Sequence, residues 1–158
     1  MSEIKLQFVS QKDIGSTMIG WFSAGHLSHV DAVLPSGLLG ARNDSTPISG
    51  VWERRPDYAR FNRRVVMTVP CTEAQTKAWL VFLRKQVGKP YDWRCILGFV
   101  SGRDWRETDS WICSELQAAA LEAVGIVPPL YLTANKITPV ALALAVSALH
   151  SVNLQEFS

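Results

Sequence analysis

A cysteine thiol becomes a nucleophile only when its surroundings lower its pKa, and a histidine becomes its partner only where the fold carries the ring to it. In the run Asp109-Ser110-Trp111-Ile112-Cys113-Ser114-Glu115-Leu116, Cys113 falls where the chain turns into a predicted helix. A helix N-terminus carries about half a positive charge and unsatisfied N–H groups, which lower a thiol pKa and can hold a developing oxyanion. His29 opens a predicted strand whose next residues include Val30, Ala32 and Val33. An imidazole at such a strand edge can reach a helix N-terminus, take the thiol proton and return one to a leaving group. Each residue also has a plain structural reading, since cysteine is among the most buried residue types and histidine is commonly half exposed. Their settings together point to a Cys–His pair.

Other candidates carry less. The three cysteines, Cys71, Cys95 and Cys113, cannot all pair within one chain and show no Cys-x-x-Cys spacing, so reduced thiols are expected. Cys95 is followed by Ile96, Leu97, Phe99 and Val100 and reads as buried; Cys71 precedes a helix cap and reads as a packing residue. His26 and His29 make a His-x-x-His pair with no carboxylate fixed nearby, a weak zinc signal, so no metal and no cofactor are expected. Arg54, Arg55, Arg60, Arg63 and Arg64 form a basic cluster without the stacking aromatics of a single-strand binder, and read as a solvated loop and strand start. With 19% charged residues and a net charge of +2, nucleic acid is not an expected partner.

The elements that must position the pair follow from periodicity and punctuation. Residues 5–10 read as a short strand or extended arm, and Ser16 could cap a helix reaching Gly25, with strand as the competing reading. Residues 28–34 and 38–41 read as a hairpin around Pro35-Ser36-Gly37. Residues 43–64 look mostly like loop with a short strand near Val51 and Trp52, and a β-branched strand over 65–69 is expected to end at Pro70. Thr72 and Gln75 form a capping box for a helix over about 73–87, closed by Gly88 and Pro90. An aromatic loop over 91–105 crosses to the Cys113 helix, with an apolar stripe of Leu116, Ala119, Ala120, Ala123 and Val124 and Gly125 at its C′ position. Thr138 and Pro139 open a last helix through about Leu149. The order implies an α+β fold with a small antiparallel sheet and helices on one side.

With 158 residues, 47% of them hydrophobic, one domain spanning 1–158 is expected. The first residues, MSEIKLQFVSQKD, lack the basic and apolar regions of a signal peptide, and the apolar stretch over 140–149 is too short to span a bilayer. A cytoplasmic product without a transmembrane segment is therefore expected; its oligomeric state is not readable.

The stretch Ser28-His29-Val30-Asp31-Ala32-Val33-Leu34-Pro35-Ser36-Gly37, then Gly88-Lys89-Pro90-Tyr91-Asp92-Trp93, then Cys113-Ser114-Glu115-Leu116 resembles the circularly permuted branch of the NlpC/P60 papain-like superfamily, in which the His strand precedes the Cys helix. The match covers roughly residues 14–147 in order and spacing. It implies a papain-like α+β fold with a small sheet or half-barrel against helices, and a thiol hydrolase or acyltransferase acting on an amide or ester. Carried over, Cys113 is the nucleophile, His29 the general base, and Tyr91 a residue lining the substrate site or, equally, an aromatic packed over the core. Glu115, two positions beyond Cys113, is explained by favourable charge in the first helical turn.

The third member, which would orient the imidazole, departs from the family pattern. The resemblance places a carboxylate near the position that is Ala41 here. A turn over Pro35 to Gly37 would set Asn43 opposite His29, and a Ser36-Gly37 turn would set Asp44 there; either could accept the ring N–H. Asp31 shares a strand face with His29, but with Cα atoms about 6.5–7 Å apart it is the more awkward partner. A backbone carbonyl or water could also serve. The resemblance implies a peptide, a peptidoglycan fragment or a lipid-linked acyl group as substrate, with Trp93, Phe99 and Trp105 available to line an apolar site, and a phage or prophage product would fit the lack of a leader. The competing expectation is a papain-like scaffold kept for binding or assembly, without catalysis.

Overall fold

The computed structural model describes residues 2–10, 27–43, 48–92, 110–129 and 137–157. Strands β1 (Ser2–Ser10), β2 (His29–Leu34), β3 (Gly37–Arg42), β4 (Gly50–Arg54) and β5 (Arg63–Cys71) are followed by helices α1 (Glu73–Gln86), α2 (Cys113–Ala123) and α3 (Pro139–Leu149) and strand β6 (Asn153–Phe157). The six strands form one open antiparallel sheet in the order β4-β3-β2-β1-β5-β6. The architecture is α+β, with a larger sheet than the sequence suggests. The expected helix from Ser16 to Gly25, His26, Asp44, and the aromatic loop with Cys95, Trp93, Phe99 and Trp105 lie outside the described residues.

Alternation along the central strands sorts the two faces of the sheet. Ile4, Leu6 and Phe8 of β1, Val30, Ala32 and Leu34 of β2, and Leu39 and Ala41 of β3 belong to one buried core with Leu116, Ala120 and Leu121 of α2, Trp79 and Leu83 of α1, and Leu142 and Val146 of α3. The opposite face carries Gln7 of β1 across from Asp31 of β2, and Gly40 of β3 across from Trp52 of β4. All six residues of β3 are buried, so this second face is covered as well. Part of the cover is the segment following β4, where Tyr58 reaches back to Asp31.

Three local expectations are corrected. β5 does not stop at Pro70 but runs on to Cys71, pairing Pro70 with Glu3 of β1. β6 covers only Arg64 to Thr68, so the missing N–H of Pro70 falls on an uncovered edge, where proline is tolerated. The last helix is followed by β6, an edge strand whose five residues are all exposed. Arg54 is buried rather than solvated, donating to the carbonyl oxygens of Ile48 (2.7 Å), Gly40 (2.9 Å), Trp52 (3.0 Å) and Gly50 (3.1 Å).

The helix boundaries follow the sequence closely. Thr72 and Gln75 exchange the two bonds of a capping box, Thr138 accepts from the Ala141 N–H, and Gly125 takes a positive φ of 69° after α2. No helix among the described residues is long and apolar enough to cross a membrane. Leu116, fully buried on α2, and Leu144, 67% exposed on α3, give a matched test of this packing. Leu116→Ala should cost about 2–5 kcal/mol and Leu144→Ala under about 0.5 kcal/mol, measured by urea unfolding.

Candidate active site

Of the three helices among the described residues, only α2 begins without a side-chain cap. Ile112 is its N-cap, its first intrahelical bond runs from the Leu116 N–H to the Ile112 oxygen (3.0 Å), and Cys113 occupies the first helical position. An uncapped N-terminus leaves backbone donors and a positive field at the thiol. The approach to α2 is held by the chain at Tyr91: Asp92 donates to the Trp111 carbonyl (3.0 Å) and Trp111 to the Pro90 carbonyl (3.1 Å). Tyr91 thus sits beside the strand-like entry to Cys113, its half-buried ring packed on the core. Glu115 is buried in the first turn of the same helix.

α2 meets the sheet where β2 and β3 part. Those strands pair through only three residue pairs beside the turn, Leu34 with Gly37, Val33 with Leu38 and Ala32 with Leu39. On the helix side of this opening Gln117 donates to the Leu39 carbonyl (3.0 Å), and the Val30 backbone N–H donates to the Cys113 sulfur. His29 also forms a side-chain hydrogen bond with Cys113. The cysteine and histidine singled out from sequence are therefore brought together, joined across the seam between helix and sheet.

The third group is Asp31. The His29 Nε2–H donates to Asp31 Oδ1 at 2.8 Å, which leaves Nδ1 as the nitrogen able to serve the thiol. Asn43 is exposed, outside the buried set. The reason is register. The turn is the two-residue Pro35-Ser36, so Leu34 pairs with Gly37, and continuing that register sets Arg42 across from His29 and Gly40 across from Asp31. Gly40 removes the awkwardness expected of two residues on one strand face. A Cβ there would lie 1.9 Å from Asp31 Oδ1, so the carboxylate occupies the space a side chain would fill.

The cluster is closed from water: Cys113, His29 and Asp31 are 3%, 6% and 1% exposed, so every charge in it must be paired. Burial pushes the His29 pKa down, but attraction to Asp31 and the Cys113 thiolate outweighs it and raises the ring from its usual 6.5 to about 9. Burial pushes the Cys113 thiol up, yet the imidazolium and the Val30 N–H hold it below its usual 9.0. Burial likewise opposes ionisation of Asp31, and His29, the Tyr58 hydroxyl and Arg42 together hold its pKa below 3.8. Both shifts favour a thiolate–imidazolium pair over the neutral pair, and the thiolate is the form in which a cysteine is nucleophilic.

Sequence reasoning missed Arg42, Tyr58 and Gly40. Tyr58 donates to Asp31 Oδ2 (2.8 Å) and accepts from Arg42 Nη1 (2.9 Å). No local pattern marks a loop tyrosine for this role; the Pro35-Ser36 register would have flagged Gly40 and Arg42. Among the described residues no group of three His, Cys, Asp or Glu side chains is arranged to hold a metal ion. No protein-family model matches the chain, and no curated protein matches it significantly.

The Gly40 contact yields a direct test. Gly40→Ala must displace the Asp31 carboxylate, at a cost of about 1–3 kcal/mol in stability. It should also lower the His29 titration midpoint, followed by imidazole NMR, from about 9 toward 6.5.

Proposed function

We propose that this protein is a thiol hydrolase or acyltransferase of papain-like type, in which Cys113 attacks an amide or ester carbonyl, His29 carries the proton and Asp31 holds His29. The observation that carries the reading is the buried, continuous set of Cys113, His29 and Asp31, with the thiol at an uncapped helix N-terminus. The α+β architecture, with the His strand preceding the Cys helix, supports the resemblance to the permuted NlpC/P60 branch.

In acylation the thiolate adds to the carbonyl carbon, forming a C–S bond and an oxyanion that the first-turn N–H groups of α2 would stabilise. Collapse breaks the bond to the leaving amine or alcohol, which takes its proton from the His29 imidazolium. Water or another acceptor then gives a proton to neutral His29 as it adds to the acyl carbon, and cleavage of the C–S bond restores the thiolate–imidazolium pair. A peptide, a peptidoglycan stem peptide or a lipid-linked acyl group is the proposed substrate class.

Turnover needs thiolate and imidazolium together. It should rise as pH passes the depressed thiol pKa and fall as pH rises through about 9, where His29 loses its proton. Iodoacetamide labelling needs only the thiolate, so its rate should rise on the same acid limb, below about pH 8.5, and then stay level. His29→Ala should move that limb upward, slowing labelling at pH 6.5 at least about tenfold. Equal, slow labelling of wild type and His29→Ala would overturn the enzyme reading in favour of a binding or assembly scaffold.

A further inference from the structure

We propose that Tyr58 and Arg42 are positioning residues of this site, fixing the Asp31 carboxylate, and through it the His29 tautomer, from the sheet face away from the main core. The assignment rests on the hydrolase reading for its consequence in catalysis, but its geometry stands apart from it.

The protons can be placed by chemistry alone. A guanidinium only donates, so in the 2.9 Å contact between Arg42 Nη1 and Tyr58 Oη the phenol oxygen is the acceptor. The single hydroxyl hydrogen of Tyr58 is then directed to Asp31 Oδ2, 2.8 Å away. Asp31 Oδ1 receives the His29 Nε2–H. With a donor on each oxygen and Gly40 beneath it, the carboxylate has one orientation, and the ring has one nitrogen left for sulfur.

Tyr58 is itself held on a built platform. The Arg42 and Arg54 guanidinium carbons lie 5.0 and 5.8 Å from its ring centroid, and Phe61 meets it edge-on at 5.5 Å. Arg54 is in turn anchored on four backbone carbonyls. Burial and the adjacent Asp31 carboxylate raise the Tyr58 pKa well above its ordinary value, against the opposing pull of Arg42, so the hydroxyl remains a donor. Such a relay turns a residue in an irregular segment into the support of a carboxylate that sits across the sheet from it.

Tyr58→Phe keeps the ring and its cation contacts while deleting the donor. Imidazole NMR and iodoacetamide labelling across pH read the consequence separately. The His29 midpoint should fall by about one unit toward its ordinary value, and labelling at pH 6.5 should slow about tenfold while labelling at pH 10 changes less than about twofold. On an Asp31→Asn background Tyr58→Phe should add no further shift, because it acts through the carboxylate. Arg42→Lys should move the midpoint in the same direction by less, and an unmoved midpoint removes Arg42 from the assignment. A wild-type titration and labelling profile in Tyr58→Phe overturns the proposal, as does equal slowing at both pH values, which marks a general loss of packing. If wild-type labelling is indifferent to His29, the hydrolase reading falls, while the NMR titration still decides whether Tyr58 positions the ring.

Discussion

The bond between His29 and Asp31 governs the rest of the site. Both residues leave the same strand on the same face, two positions apart, and such neighbours normally stand parallel without meeting. They meet here because the facing strand offers Gly40, and the Asp31 carboxylate lies in the space its missing side chain vacates. Once the carboxylate is buried there, the remaining arrangement follows from the cost of a buried charge, several kcal/mol per unpaired ion after relaxation. One oxygen takes the imidazole N–H and the other the Tyr58 hydroxyl, with Arg42 behind it.

Four of the ionisable groups in this buried region alternate in sign when charged: Arg42, Asp31, His29 and Cys113, with the neutral Tyr58 hydroxyl between the first two. Removing any inner member leaves a neighbour unpaired, which is why burial alone, the largest single influence on His29, Asp31 and Cys113, is outweighed at all three. The helix end adds a fixed positive field at the sulfur without introducing another titrating group. The members of the cluster thus support one another, and each neighbour shifts the next toward its charged form.

Placement of the cluster depends on an imperfection in the sheet. β2 and β3 pair only beside their turn, and α2 fills the opening that follows: Gln117 donates to the carbonyl of Leu39, in the last of the pairs, and beyond it the Cys113 sulfur accepts from the Val30 N–H. Groups on opposite faces of a fully paired sheet could not touch. The gap lets His29, which like Asp31 alternates away from the main core, reach a thiol that belongs to it. The other side is closed by the segment after β4, which leaves that strand at Arg54, its last residue, locked onto four carbonyls.

Local chemistry wrote part of this into the sequence. The Thr72–Gln75 capping box, the Thr138 cap, the positive-φ Gly125 and the start of α2 at Cys113 depend on residues within a few positions of one another, so they are legible without a fold. So was the pairing of a thiol at a helix start with an imidazole at a strand start. The orienting group was not, because it hinged on hairpin register: a turn at Pro35-Ser36 brings Gly40 opposite Asp31, whereas a Pro35 to Gly37 turn points to Asn43 and a Ser36-Gly37 turn to Asp44. Tyr58, Arg42 and the buried state of Arg54 were hidden for a different reason. Their partners lie far along the chain or across the sheet, and only the tertiary structure sets that proximity. The sequence by itself determined which residues could do chemistry and which elements would carry them; the tertiary structure decided which groups surround the imidazole, because burial and contact are properties of the packed sheet rather than of the local chain.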